Sequence, residues 1–415
     1  MSKAAYKKLK KCRVCRSPNL TNFLYLGLMP SVNNFLTSYQ LNDPEPKYPL
    51  TVCFCHNCGM VQTREVVDPV VMYKNYVYIS SFSKTMADHF EYLAKSLVSR
   101  FNLTSNSLVV EMGSNDGTLL KIFKKLGTEV LGVDPAQNLA AIANRDGIET
   151  WDTFFDRKTA KKILKEKHQA SLVIGTNVFA HINNLDDILQ GLNLLLSDDG
   201  IFVAEFPYLV DLIQGMQFDT IYHEHLSYFS LKPLIHLFAR FDLELFDAER
   251  TSVHGGSIII FVRKKNSGKE ISKTLSQLLT LERKLKFDKI ETFKQFAKKT
   301  EMTKKGLRRV LIWLKQQGKK VVGFGAPAKG NILLNFCGID DSLLDYLTDN
   351  IPYKHGLYSP GTHLQVFPEE KIKENNPDYL LLLPWNFKEE ILHKLEDYRK
   401  RGGKIIVPIP EVEII

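Results

Sequence analysis

The sequence predicts an α/β chain in three parts. Three observations carry that expectation. Two C-x-x-C pairs lie near the start, a strand–glycine turn–helix–strand run lies in the middle, and a second strand–turn–helix unit follows a long lysine-rich stretch. A chain of 415 residues is expected to hold two or three domains. Its 44% hydrophobic and 24% charged residues are close to those of an average soluble protein, so each part can build a core. The expected boundaries are 1–70, 71–265 and 266–415.

The first part is read from its cysteines. "CRVC" holds Cys12 and Cys15, and "CHNC" holds Cys55 and Cys58. A C-x-x-C knuckle turns two thiolates toward one point, and two knuckles complete a tetrahedral S4 site for zinc. The wide separation requires a small β-rich unit between them. A closed S4 set leaves no position for substrate, so this zinc is expected to be structural. Cys53 is either a core residue or a competitor for a ligand position, and His56 lies inside the second knuckle.

In the middle, a helix is expected near 84–101. Then "SLVVEMGSNDGTLLKIFKKLGTEVLGVDP" reads as strand (Leu108 to Glu111), turn (Gly113 to Gly117), helix (Thr118 to Leu126) and strand (Val130 to Val133). This is the βαβ unit of a Rossmann-like fold. Asp134, ending the second strand, is placed to accept ribose hydroxyls, with Pro135 beside it. The turn is not the G-x-G-x-x-G that seats a pyrophosphate. Glu111 and Asp116 would repel one but tolerate a cation. The E/D-x-G-x-x-x-G form, with Ser114 and Asn115 inside it, suits the positive sulfonium and amino group of S-adenosylmethionine. Further strands are expected at Leu172 to Ile174, ending in Thr176 and Asn177, and at Ile201 to Glu205. Ligands in open α/β sheets bind at the C-terminal strand ends. Gly113, Asp134, Asn177, His181 and the segment after Glu205 should therefore converge on one cleft.

That segment contains "TIYHEHLSYFS", residues 220–230. It is too rich in Tyr, Phe and Leu for a solvated loop and lacks the H-E-x-x-H spacing of a zinc helix. If the segment is a strand, His223 and His225 share one face and Glu224 points to the other. Acid–base chemistry fits best. His225 is the expected base, Tyr222 a donor to a developing oxyanion, and Glu224 an orienting group or acceptor for a sugar hydroxyl. Imidazole titrates near neutrality, which favours His225, with His181 as the alternative.

The stretch from about 268 to 318 is helical by pattern. "KKVVGFGAPAKGNILLNF" then starts a second Rossmann-like unit, with strands in "LDYLTDN" ending near Asp349, in "DYLLLLPW" and in "GGKIIVPIP". "GFGAPAKG" is not a Walker A loop, because Gly330 follows Lys329. The backbone amides of Gly325, Ala326 and their neighbours, with the Lys329 ammonium, are expected near a phosphate. The strand in "GSIIIFV" is expected to belong still to the middle sheet.

Net charge is +9, concentrated in the N-terminal lysines and in the region from about 262 to 320. A solvated helix face accounts for this, and the sequence has no aromatic-interleaved basic motif for nucleic acid. No apolar run spans a membrane, and the N-terminus lacks the apolar region of a signal peptide. A cytoplasmic protein with reduced cysteines is expected.

"VVEMGSNDGTLL", "NVFAHINNLDDIL" and "FDTIYHEHLSYFS", preceded by two C-x-x-C pairs, resemble the sugar C-methyltransferases of deoxysugar biosynthesis. The resemblance continues through "VVGFGAPAKGNILLNFCGI" and "LTDNIPYKHGLYSPGTHLQV", and "YKNYVYISSFSKTM" points to the tetronitrose branch. It implies a central class I S-adenosylmethionine-dependent methyltransferase domain between a zinc-binding unit and a nucleotide-sugar-binding domain. It implies methyl transfer to the carbon beside the ketone of a dTDP-linked 4-keto-deoxysugar, with C3 favoured over C5. By the same resemblance Tyr76 and His181 stand around the sugar, and Ser80, Asn177 and Asp349 are substrate residues. No nucleic acid or membrane partner is expected, and the oligomeric state stays open, with a monomer plausible. Two other readings stay open at this point: O- or N-methylation of a nucleotide sugar, and a zinc-containing S-adenosylmethionine-binding regulator acting on RNA.

Overall fold

The computed structural model describes residues 6–68, 84–265 and 270–415. The cysteine-rich part is an antiparallel sheet. Leu20–Met29 pairs with Tyr48–Cys55, which pairs with Val61–Thr63. The β-rich unit required between the two knuckles is this hairpin. The fourth strand comes from elsewhere in the chain. Ser227–Tyr228 pairs with Val61–Thr63, with Gln62 opposite Ser227 and Val61 opposite Tyr228. The two residues just past "YHEHL" thus belong to the cysteine-rich sheet.

The middle sheet has seven strands, in the order Leu243–Thr251, Ser257–Lys264, Leu196–Pro207, Ala170–Thr176, Leu108–Met112, Glu129–Val133, Thr150–Trp151. Ser257–Lys264 runs antiparallel to both its neighbours, and the others run the same way. The parallel strands read as continuous apolar runs because helices cover both faces. Leu108–Met112 is buried at every position. The expected strand in "GSIIIFV" does lie in this sheet.

The C-terminal sheet has the order Val366–Phe367, Leu347–Thr348, Val321–Phe324, Tyr379–Leu382, Lys404–Val407, Glu413–Ile414, parallel except for the last strand. It is the second Rossmann-like unit, with two short edge strands, Val366–Phe367 and Glu413–Ile414, beyond those expected.

Between the two sheets the lysine-rich stretch forms helices Lys273–Lys284 and Ile290–Gln316. The long helix buries Ile290, Phe293, Phe296, Thr300, Leu307, Leu311 and Leu314, a stripe of three- and four-residue steps, and leaves Lys294, Lys298, Lys299 and Lys305 exposed. Much of the positive charge is thus a solvated helix face. Both helices act as struts. Glu282 accepts from Tyr208 Oη (2.7 Å) and Leu231 N (2.6 Å), which fixes the first to the middle domain. Phe293 packs on Phe23 and Phe54, with ring centroids 5.4 and 5.2 Å away, which fixes the second to the cysteine-rich sheet.

The C-terminal unit also touches the other two. Trp385 Nε1 donates to Asp219 Oδ2 at 2.6 Å, and Asn331 Nδ2 donates to Val32 O at 2.7 Å. The three parts therefore enclose a common centre. Phe293→Ala should remove the aromatic seam between the long helix and the cysteine-rich sheet. The expected cost is about 3–5 kcal/mol, read as a lower denaturant midpoint in chemical unfolding.

Candidate functional site

That common centre is a cleft of about 1030 Å³, lined by residues from all three parts. Its first end is the glycine turn. Gly113 takes φ +70°, and a Cβ there would lie 3.0 Å from Val178. Its N–H donates to Val133 O at 2.8 Å. Asp134 accepts from Asn115 N and Ala136 N, both at 2.8 Å, and so fastens the turn to the second strand. Glu111 is 2% exposed, and its Oε2 has no hydrogen-bond partner among the described residues. Burial, then Asp134 and Asp116, push its carboxyl well above the ordinary range. Buried acids at this density are costly unless a cation arrives. Ser114, Pro135, Thr176 and Asn177 line the same end. Asp116 does not. It accepts from Thr118 Oγ1 (2.7 Å) and Thr118 N (3.3 Å), so it caps the following helix.

The centre holds the histidine cluster. Residues 222–225 form a tight turn closed by His225 N to Tyr222 O at 3.0 Å, not a strand. This corrects the expectation that His223 and His225 share a face. His223 turns away from the cleft: its Nε2 donates to Pro49 O (3.1 Å) and its ring meets Tyr48 edge-on. His225 lines the cleft, and its Nδ1–H donates to Thr220 O at 2.7 Å. That bond fixes the neutral tautomer with the lone pair on Nε2. The ring of Tyr222 lies 3.9 Å from that of His225, and His181 lies 4.9 Å away on a separate 3-10 turn. Burial lowers His181 to about 4, so it is a neutral imidazole at pH 7. Glu224 lines the cleft beside them. Burial raises it to about 7, opposed by the hydrogen bond from Asn33 Nδ2 (2.7 Å). Tyr228 lies in the borrowed strand, buried and away from the cleft. Tyr76 and Ser80 lie outside the described residues.

At the far end, Gly325 takes φ +81° and faces Pro384, which a Cβ would approach to 2.7 Å. Lys329 lines the cleft, donates to Asn386 Oδ1 (2.9 Å) and lies 4.8 Å over the Trp385 ring. Ala326 does not line it. Its N–H goes to Asp349 Oδ2 at 2.8 Å, so that amide is already committed within the protein. Asp349 lines the cleft but also accepts from Ile351 N (2.9 Å) and Lys354 Nζ (3.0 Å). Asn33 and Lys354 were not anticipated. Asn33 stands in a loop and Lys354 ends a short 3-10 turn, with no spacing to mark either.

The four thiols of Cys12, Cys15, Cys55 and Cys58 lie within 4.8 Å of one another. Cys12 and Cys58 are 3.6 Å apart, and Cys15 and Cys55 3.5 Å. Zn–S bonds of about 2.3 Å set tetrahedral edges of about 3.8 Å, so the set fits zinc with no fifth position. Cys53 is outside the set, buried in the sheet, and pushed up to about 11 by burial. It is a core residue. His56 Nε2 bonds Thr21 Oγ1 (2.8 Å) instead.

A glycine turn with acids at the strand ends, beside a zinc-binding sheet and a second Rossmann-like unit, defines a class I methyltransferase with two accessory domains. Comparison with known proteins agrees. A methyltransferase-domain family matches residues 86–248, a "Putative zinc binding domain" residues 12–73, and a C-methyltransferase C-terminal domain residues 252–410. The C-methyltransferase NovU of Streptomyces niveus is 36% identical over 407 residues, 98% of this chain and 97% of NovU. The chain belongs to this family of S-adenosylmethionine-dependent C-methyltransferases, with a structural zinc. Among solved structures, the plantazolicin methyltransferase BpumL with S-adenosylhomocysteine is 13% identical (42% of this chain, 84% of that one, TM-score 0.34). The magnesium protoporphyrin IX methyltransferase of Synechocystis with S-adenosylmethionine is also 13% identical (43% and 79%, TM-score 0.32). No helix among the described residues is long and apolar enough to cross a membrane.

Two outcomes follow. Cys55→Ser should lose zinc, measured by elemental analysis, and the cysteine-rich sheet should become sensitive to limited proteolysis while the middle domain persists. Gly113→Ala forces a left-handed backbone on alanine and presses on Val178. It should weaken S-adenosylmethionine binding at least tenfold in calorimetry, with zinc content unchanged.

Proposed function

We propose that the protein methylates a dTDP-linked 4-keto-deoxysugar at the carbon beside the ketone, C3 rather than C5, through an enolate. The observation that carries this reading is the lining of one cleft. His225, Tyr222, Glu224 and His181 stand between the acidic glycine turn and the Gly325–Lys329 loop. A base so placed lies between a site for a cationic methyl donor and a site for an anionic nucleotide.

Carbon becomes a nucleophile only once a C–H bond is broken. A neighbouring ketone makes that proton acidic. His225 takes it on Nε2, and the C–H electron pair passes into the enolate. Tyr222, with His181 or Tyr76, donates a hydrogen bond to the enolate oxygen. His181 suits this because it stays neutral and keeps one ring N–H. Glu224 accepts from a sugar hydroxyl and fixes the ring. Bound S-adenosylmethionine supplies the methyl group to the enolate carbon, and its sulfur keeps the electron pair of the broken bond. Glu111 and Asp134 hold the donor, with Gly113, Ser114, Asn115, Pro135, Thr176 and Asn177 around it. Ser80 and Asn177 contact the sugar. Lys329 and the free amides of its loop hold the diphosphate, and Asp349 orders that loop.

Proton NMR in heavy water tests the reading. With a panel of dTDP-4-keto-6-deoxysugars, the C3 proton signal should disappear and, once S-adenosylmethionine is added, a methyl singlet should appear on that carbon. His225→Ala should slow both changes by about 10²–10⁴-fold. A methoxy or N-methyl signal without C–H loss would sink the enolate mechanism.

A further inference from the structure

Asn33 is a zinc-domain side chain that reaches the catalytic turn. It is the third residue of a turn closed by Asn34 N to Ser31 O at 3.0 Å. The C-terminal domain pins that turn on both sides. Asn331 Nδ2 donates to Val32 O, and Leu36 and Tyr358 exchange backbone hydrogen bonds of 2.9 and 2.8 Å. Asn331 stands on helix Ala328–Cys337, which the "GFGAPAKG" loop opens. On its inner side Asn33 Nδ2 meets Glu224 Oε1 at 2.7 Å, and both residues line the cleft. The other oxygen of Glu224 has no partner among the described residues. The phosphate-loop helix, the zinc domain and the catalytic turn are thus joined through one side chain.

We propose that Asn33 is a positioning residue that orients Glu224 as an acceptor for a sugar hydroxyl and favours its ionised form. The inference rests on the reading of Glu224 as that acceptor. A carboxyl group shut away from water favours its neutral form, and a neutral carboxyl loses an acceptor oxygen. Burial and the Asn33 hydrogen bond are the two causes that set Glu224, and they act in opposite directions. The titratable groups around it are Tyr222, His223 and His225 of its own turn, His181 beside His225, Tyr48 behind His223, and Asp349, Tyr353, Lys354 and Lys329 along the cleft. None of these charges enters its balance. The amide of Asn33 supplies the opposing force without titrating itself.

The sign follows. Without the Asn33 donor, Glu224 holds its proton to higher pH, so the acid limb of activity must move upward. The test is the pH profile of kcat/KM for the dTDP-sugar in wild type, Asn33→Leu, Glu224→Gln and the double variant, with zinc content and S-adenosylmethionine affinity measured alongside. Asn33→Leu should move the acid limb up by about one pH unit, chiefly through KM, at unchanged zinc and donor affinity. Asn33→Asp keeps the shape, removes the donor and should move the limb at least as far. In the Glu224→Gln background, Asn33→Leu should change nothing further. A crippled Glu224→Gln with an unmoved limb in both Asn33 variants would overturn this inference alone. Loss of zinc or of thermal stability with an unmoved limb would also overturn it, leaving Asn33 a structural residue. A Glu224→Gln enzyme indistinguishable from wild type would overturn both this inference and the acceptor reading beneath it.

Discussion

The architecture depends on one short antiparallel pairing. Ser227–Tyr228 leaves the methyltransferase domain and becomes the edge strand of the zinc-binding sheet. Thr63 N adds a bond to Leu226 O at 3.1 Å, and Leu226 N bonds Ala180 O at 3.0 Å. The catalytic turn is thereby held between the zinc sheet and the 3-10 turn that carries His181. Two residues of strand cannot hold register on their own. They need a rigid partner, and the partner is a sheet whose end is cross-linked by four thiols around a metal. This lets a closed zinc site support the cleft without lining it. It keeps the edge strand rigid, and the edge strand keeps His225 and Glu224 in the cleft.

Several features of the site trace back to regular patterns in the chain. Buried parallel strands appear as apolar runs, and the glycines that end them appear because φ is positive there. The expected βαβ unit and the cysteine set are therefore where the structure has them. The catalytic turn was misread for a definite reason. His223 and His225 alternate as strand residues do, but a tight turn closed by His225 N–H also separates alternate residues, and it sends them to different places. The swap of Ser227–Tyr228 into another sheet leaves no local mark, because the residues are ordinary strand formers in either setting. Ala326 was expected to offer its amide to a ligand. Whether an amide in a glycine loop is free depends on the acid opposite it, here Asp349, which lies more than twenty residues away.

The histidine cluster shows how burial sorts chemically similar groups. The rings of His181 and His225 lie 4.9 Å apart, tilted by 32°, yet they are held differently. His181 is kept neutral by desolvation alone. His225 is given a defined tautomer by the carbonyl of Thr220. Two imidazoles can then stand side by side with their protons placed by different causes. His223, one residue from Glu224, is removed from the chemistry altogether by its bond to Pro49 and serves to tie the turn to the zinc sheet.

The two Rossmann-like units use one device with opposite electrostatic results. In each, an aspartate at the end of the second strand accepts one backbone N–H from the glycine loop and one from the residue two positions after itself. Asp134 takes Asn115 and Ala136, and Asp349 takes Ala326 and Ile351. The difference is the third group. No cation contributes to the balance at Asp134, and Glu111 lies close enough to raise its own proton affinity against it. That loop keeps excess negative charge. Asp349 is paired with buried Lys354, and Lys329 adds a second ammonium at the cleft wall. That loop is neutral at its base and positive at its rim. The first therefore presents carboxyl groups to the cleft and the second presents an ammonium, from the same backbone design. On the proposed reading, a methyl donor carrying a sulfonium and a substrate carrying a diphosphate satisfy the two loops in one orientation only. Reversed, each would face like charge across a low-dielectric cleft. On that reading the charge pattern alone sets the direction in which donor and acceptor meet at His225.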